Sequence, residues 1–253
     1  MTIYTDAVRP NAYFRHATRA SKHSRSITAR FRSLISEPAL PANIVSDVIV
    51  MAFSALWKIR MIRDKNIRAN RTVIEPLIAT HVLSLTRALV DTARVQLSVK
   101  IEDLQDKGDL GQQITRVFRR ILPALRIASK WLRTNANYLV ASVTSASSPD
   151  YYKNSIKKFW ESYASFLTPL SETFPLAKLP ELKKPLDEDV ELAGFSPVRK
   201  AMFIEPIESE NGLAPEQQDV HPNEEFLMRI SDLLRDAEQI AVLQVCELII
   251  PFV

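Results

Sequence analysis

QITRVFRRILPALRIASKWLRT, residues 113–134, places Ile114, Val117, Phe118, Ile121, Leu122, Leu125, Ala128, Trp131 and Leu132 along one side of a helix. Arg116, Arg119, Arg120, Arg126, Lys130 and Arg133 supply much of the opposite side, and no acid occurs from Gln113 to Ser147. Such a helix is expected to bury one face and to show the other to water or phosphate. Pro123 removes one intrahelical hydrogen bond and predicts a kink. Asn135, Ala136 and Asn137 are expected to end the helix.

The same helical spacing recurs outward from this spine. Upstream, residues 72–99 carry a stripe from Ile74 to Thr92 that includes His81, read as a core histidine. Residues 43–63 are apolar almost all round and predict a central, buried helix. A short helix is expected from Ile27, and residues 1–26 form a basic arm or linker before a single domain at 27–253. Downstream, Tyr152, Ile156, Phe159, Trp160, Tyr163 and Phe166 lie at helical spacing and are read as core in preference to a base-stacking platform. Eight prolines between Thr168 and Pro222 predict a long irregular segment. A last helix is expected from Asn223 to about Ile249.

Composition agrees with helices. Four Gly against 15 Pro leave few glycine-dependent hairpins, so the expected class is all-α, a run of stacked helical hairpins. No uninterrupted apolar run of about 18 residues predicts a membrane span. One cysteine, Cys246, fits a reducing compartment, nucleus or cytoplasm.

Charge is unevenly divided. Residues 1–140 hold 23 Lys and Arg against 10 Asp and Glu, a net +13, and the remainder holds 10 against 19, a net −9, which together give +4. A basic half can face phosphates, and the bland alternative is a solvated surface. Arg60, Arg63, Arg68 and Arg71 crowd the end of one helix, and Arg116, Arg119 and Arg120 the start of another. These seven are the candidate nucleic-acid contacts, as phosphate binders and not base readers.

Nothing supports catalysis. The four histidines are scattered, and the glycines that phosphate-cradling loops need are missing. Asp187, Glu188, Asp189 and Glu191 are read as a polar helix start and not as a metal site. The expectation is therefore a non-enzyme with no metal, cofactor or small-molecule substrate.

Two passages carry a resemblance. FRRILPALRIASKWLR, with Leu122, Pro123, Trp131 and Leu132, precedes PLDEDVELAGFSP, with Pro185, Glu188, Asp189, Gly194 and Phe195. Together they resemble the helical-hairpin domain of the ever-shorter-telomeres and SMG family, which includes telomerase-associated subunits and nonsense-mediated mRNA decay factors. The resemblance spans about residues 70 to 245, and NEEFLMRISDLLRDAEQIA looks like the helix that usually follows. It implies a solenoid-like scaffold that binds RNA or single-stranded DNA and protein partners of a decay or telomere complex. The family's tetratricopeptide and nuclease domains find no match here, and Ala193 stands where a basic residue is expected. A pure protein-interaction scaffold is the alternative.

Overall fold

The computed structural model describes residues 10–37, 39–63, 65–99, 109–182, 184–202 and 221–242, with side chains from Thr18 in the first helix and from Arg71 in the third. The described residues are helical, with no strand among them. They comprise α1 (Pro10–Ser36), α2 (Ala42–Met61), α3 (Lys65–Leu97), α4 (Arg116–Thr144), α5 (Asp150–Thr173), α6 (Asp187–Leu192), α7 (Arg199–Met202) and α8 (Pro222–Val242), with single 3-10 turns at Leu110–Gln113 and Leu176–Lys178. The all-α expectation holds.

α3 and α4 are the central pair. Glu75 near the start of α3 meets Tyr138 of α4, while Gln96 at its end meets Thr115, so the two run antiparallel. α2 runs with α4, because Phe53 stacks on Trp131 and Arg60 reaches Asn135. α5 runs against α4, with Tyr152 beside Tyr138 and Ser129 beside Tyr163. α1 lies along α3, through Ser24–His81 and Arg32–Asp91, and α8 runs along α4. One continuous core results, from Phe31 and Ile35 of α1 through α3 and α4 to Ile230 and Ile240 of α8.

Several boundaries differ from the sequence reading, each for a local reason. The expected irregular arm is helical from Pro10. α3 begins at Lys65, so Thr72 sits inside the helix and Pro76 within it. α4 passes through Pro123 and the Asn135–Asn137 stop, reaching Thr144. There the Asn135 amide folds back on the Trp131 carbonyl at 2.9 Å, and Ala136 and Leu139 are fully buried, so packing overrides the weak asparagine signal. α5 likewise continues through Pro169 to Thr173. The irregular stretch therefore starts after Thr173 and contains α6 and α7. Residues 100–108, residues 203–220 and the end of the last helix lie outside the described residues.

The largest difference concerns α2. Val45, Ile49, Phe53 and Leu56 are buried, but Ile44, Met51 and Met61 are 40%, 64% and 56% exposed. α2 is thus an outer helix whose exposed face mixes these apolar residues with Asn43, Asp47 and Lys58, and the helix buried all round is α4 between residues 124 and 132. By length and composition α2 and residues 71–97 of α3 are apolar enough to cross a membrane, which the run-length criterion missed because polar residues interrupt both.

Candidate nucleic-acid interface

The stripe Arg126, Lys130 and Arg133 recurs every three or four residues, so it forms one row along α4. That row faces protein. α8 presents Asp232 and Asp236 at matching spacing, and Arg126 Nε donates to Asp232 Oδ2 at 2.7 Å. Lys130 Nζ bridges Asp232 at 2.6 Å and Asp236 at 3.2 Å, and Arg133 pairs with Asp236 at 2.9 Å. The expected outward basic side of α4 therefore faces protein from Arg126 onward, fully buried at Arg126 and partly exposed at Arg133, because an acidic helix 100 residues downstream covers it.

The Leu186–Val198 passage closes the other side of the same network. Asp189 accepts the Leu186 N–H on one oxygen at 2.9 Å, which holds the first turn of α6, and Arg126 Nη1 on the other at 2.7 Å. Glu188 takes a bidentate fork from Arg229 of α8, at 2.8 and 2.9 Å, and lies 3.3 Å from Arg126. Arg126 is 0% exposed at the centre of three carboxylates. Burial opposes its charge, but Asp232, Asp189 and Glu188 outweigh burial and hold its proton more firmly than in a free arginine. Burial also pushes Glu188 and Asp232 upward, yet their cations overcome it and leave both carboxyls below the usual range. Asp236 goes the other way: burial dominates and raises it, and its Oδ2 has no hydrogen-bond partner.

These opposite directions make a prediction. Asp232→Asn removes a group whose folded pKa is depressed, so its contribution is present above the unfolded value near 3.8 and disappears as pH falls through the lower folded value. Asp232→Asn is expected to cost about 3 kcal/mol at pH 7, against roughly 1 kcal/mol for Asp236→Asn, because burial at Asp236 opposes the charge that its cations favour. Urea unfolding at pH 7 and pH 3 checks this, with the difference between the variants shrinking at the lower pH.

The seven arginines expected to contact nucleic acid divide into different roles. Arg60 lies 3.6 Å over the Tyr138 ring and donates to Glu75 at 3.0 Å. Arg71 donates to the other Glu75 oxygen at 2.7 Å and to the Arg60 carbonyl. Burial raises Glu75, but Arg71, Tyr138 and Arg60 more than compensate, and its carboxyl is held low. Arg119 donates to the carbonyls of Ile114 and Gly111, closing the turn before α4, where Gly111 packs so tightly on Asn223 that a Cβ would lie 3.0 Å from it. Arg60, Arg71 and Arg119 thus hold the fold together. Arg68's side chain lies outside the described residues.

Arg63 and Arg116 are exposed, and Arg120 is half-buried with its Nη1 lacking an acceptor. They do not form one patch. Arg63 sits beyond the Arg60–Asn135 contact, about 28 Å along the α4 axis from Arg116. Of the family passage, Trp131, Glu188 and Asp189 are buried, whereas Gly194 and Phe195 are exposed, and nothing around Gly194 requires a glycine.

The cations that sequence reading underweighted are on α1. Between Pro10 and Ser36 it carries Arg15, Arg19, Lys22, Arg25, Arg30 and Arg32 with no Asp or Glu. Arg19, Lys22, Arg25 and Arg30 are exposed. The signal was an acid-free run, hidden because few apolar residues punctuate it. At its C-terminal end Arg32 meets Asp91, one helical turn or so before the Gln96–Thr115 contact, so Arg116 and Arg120 share that end of the bundle. The aromatic stripe of α5 from Tyr152 to Phe166 is buried, and of the α5 aromatics Tyr151 is exposed, so the helix presents no row of rings for base stacking.

Residues 9–202 match the family model of the Est1 DNA/RNA binding domain. The chain belongs to that family. The Est1-type match takes in α1 and α2, upstream of the residues that carried the resemblance, and stops at Met202 before α8. No curated protein and no solved structure matched. In this Est1-type domain, the conspicuous acidic passage serves as the internal counterion of α4, and α1 offers the outward cations.

Proposed function

We propose that the chain binds single-stranded RNA or DNA through the cationic face of α1, continued by Arg116 and Arg120, as a non-enzymatic scaffold. The observation that supports this most is an acid-free helix with four exposed cations inside the region matched to a DNA/RNA binding domain. Backbone phosphates are the fitting ligand, because flexible Lys and Arg on one helix supply charge without the fixed geometry that reads bases. The setting we infer, by family, is nonsense-mediated mRNA decay or telomere maintenance, in the nucleus or cytoplasm, with protein partners of such a complex.

Three phosphate contacts contribute a salt slope of about 2 on a single strand, which amounts to roughly 100-fold in affinity at 0.1 M salt. Arg19→Ala/Lys22→Ala/Arg30→Ala is expected to weaken binding of a fluorescent single-stranded 15-mer by that factor, while Arg235→Ala, on α8, leaves it unchanged. Equal affinity of the triple variant and the wild type would remove α1 from the interface.

The exposed Ile44, Met51 and Met61 on α2 favour a second reading, a protein-interaction scaffold. Pulldown after nuclease treatment separates the two, since only direct protein contacts survive it.

A further inference from the structure

The cleft between α1 and α3 is lined by Arg25, Thr28, Ala29, Arg32, Ser33 and Ser36 of α1 and Ser84 of α3. Its volume, about 490 Å³, lies in the range that accommodates a nucleotide-sized group. No carboxylate lines it. Two acids touch its lining residues: Asp91, neutralised by Arg32 at 2.7 Å and Arg87 at 3.6 Å, and Glu37, which accepts from Ser33 Oγ at 2.9 Å. Arg32 spends one N–H on Asp91 and keeps others, and Arg25 is exposed.

The hydroxyls distinguish this cleft from an ordinary basic surface. Thr28 Oγ1 is buried without a hydrogen-bond partner, an arrangement that costs free energy unless something completes it. Ser33 and Ser84 donate their hydroxyl hydrogens to Glu37 and to the Thr80 carbonyl, so each would have to turn from that acceptor to donate into the cleft. Two guanidinium groups bordering one cavity, with an unpartnered hydroxyl among its lining residues, are chemistry suited to a phosphate oxygen. The smaller cavity by Glu181, Ser231, Asp232 and Arg235 has an unpartnered Ser231 hydroxyl too, but its carboxylates would repel an anion.

We propose that the α1–α3 cleft is a phosphate site that seats a backbone phosphate of a bound single strand. This rests on the nucleic-acid reading above. The exposed Arg19 and Lys22 precede Arg25 on α1 at helical spacing, so flanking phosphates of an extended strand meet further cations, whereas an isolated phosphate would use the cleft alone.

The test is made on the full chain with 15N labelling, using inorganic phosphate and a single-stranded 15-mer as separate probes. The expected result is saturable shifts of the Ala29, Ser33 and Ser84 amides with both. Ser84→Asp, which places a carboxylate in the cleft, is expected to weaken 15-mer binding at least 10-fold, and Arg25→Ala to reduce the salt slope by about 1. Circular dichroism verifies that Ser84→Asp stays folded, and the exposed Arg25→Ala provides the answer if it does not. If the 15-mer binds but the cleft amides stay unmoved and Arg25→Ala retains the full slope, the cleft proposal is overturned while the nucleic-acid reading stands. If phosphate moves the cleft amides and no 15-mer binds, both the backbone-phosphate assignment and that reading are overturned.

Discussion

Arg126→Met is expected to lower the free energy of unfolding by about 3–5 kcal/mol, the usual cost of removing one member of a buried ion network. Methionine keeps much of the side-chain volume, so the loss is electrostatic and not a cavity. Glu188 would retain Arg229, and Asp232 would retain Lys130, but Asp189 would keep only the Leu186 N–H. The consequence is local as well as global: Arg126 is the side chain that joins α4, α6 and α8, so α6 should open before the core. Urea unfolding gives the magnitude, and amide exchange at Asp189 and Val190 gives the location. A double-mutant cycle with Asp189→Asn isolates the coupling. The double variant should be less destabilised than the sum of the singles, because a neutral amide no longer suffers from the missing cation.

Trp131→Ala is expected to cost a similar amount, about 3–5 kcal/mol, by a different mechanism. Trp131 is 4% exposed and stacks on Phe53 with ring centroids 4.6 Å apart and planes 6° from parallel. Truncation leaves a void between α2 and α4 beside the Phe53 ring. At about 2–4 °C per kcal/mol for a chain of this size, the thermal midpoint should fall by roughly 10 °C. Trp131→Phe should recover most of it, because the stack survives. Loss without recovery would mean that indole volume, and not the stacked pair, holds α2 in place.

Helical periodicity made the fold class and most of the core legible. The spacing of Phe118, Ile121, Leu122, Leu125 and Ala128 specified α4, and the aromatic stripe of α5 was rightly read as core. Charge was harder to read, because a basic stripe looks the same whether its partner is solvent or an acidic helix 100 residues away. Arg126 and Asp232 are the case in point: each alone suggests a surface, and only the fold brings them to 2.7 Å. Similarly, Arg60 and Arg71 looked like a rim until Glu75, one helical turn past Arg71, claimed both. Boundaries failed where proline or asparagine signals met strong packing, as at Pro76, Pro123 and Asn135. Of the α1 cations, Arg15, Arg19, Lys22 and Arg25 fall in the stretch read as an arm and Arg30 and Arg32 in the short helix after it, because the first half of α1 shows little apolar periodicity of its own.

The central claim is that α1 carries the outward phosphate-binding charge while the basic stripe of α4 is internal. The salt dependence of binding tests it most directly. On a plot of log affinity for a single-stranded 15-mer against log salt, the wild type should fall steeply, and the Arg19→Ala/Lys22→Ala/Arg30→Ala variant should lose about 2 units of that slope. An unchanged slope in that variant, or a wild-type affinity indifferent to salt, would contradict the account.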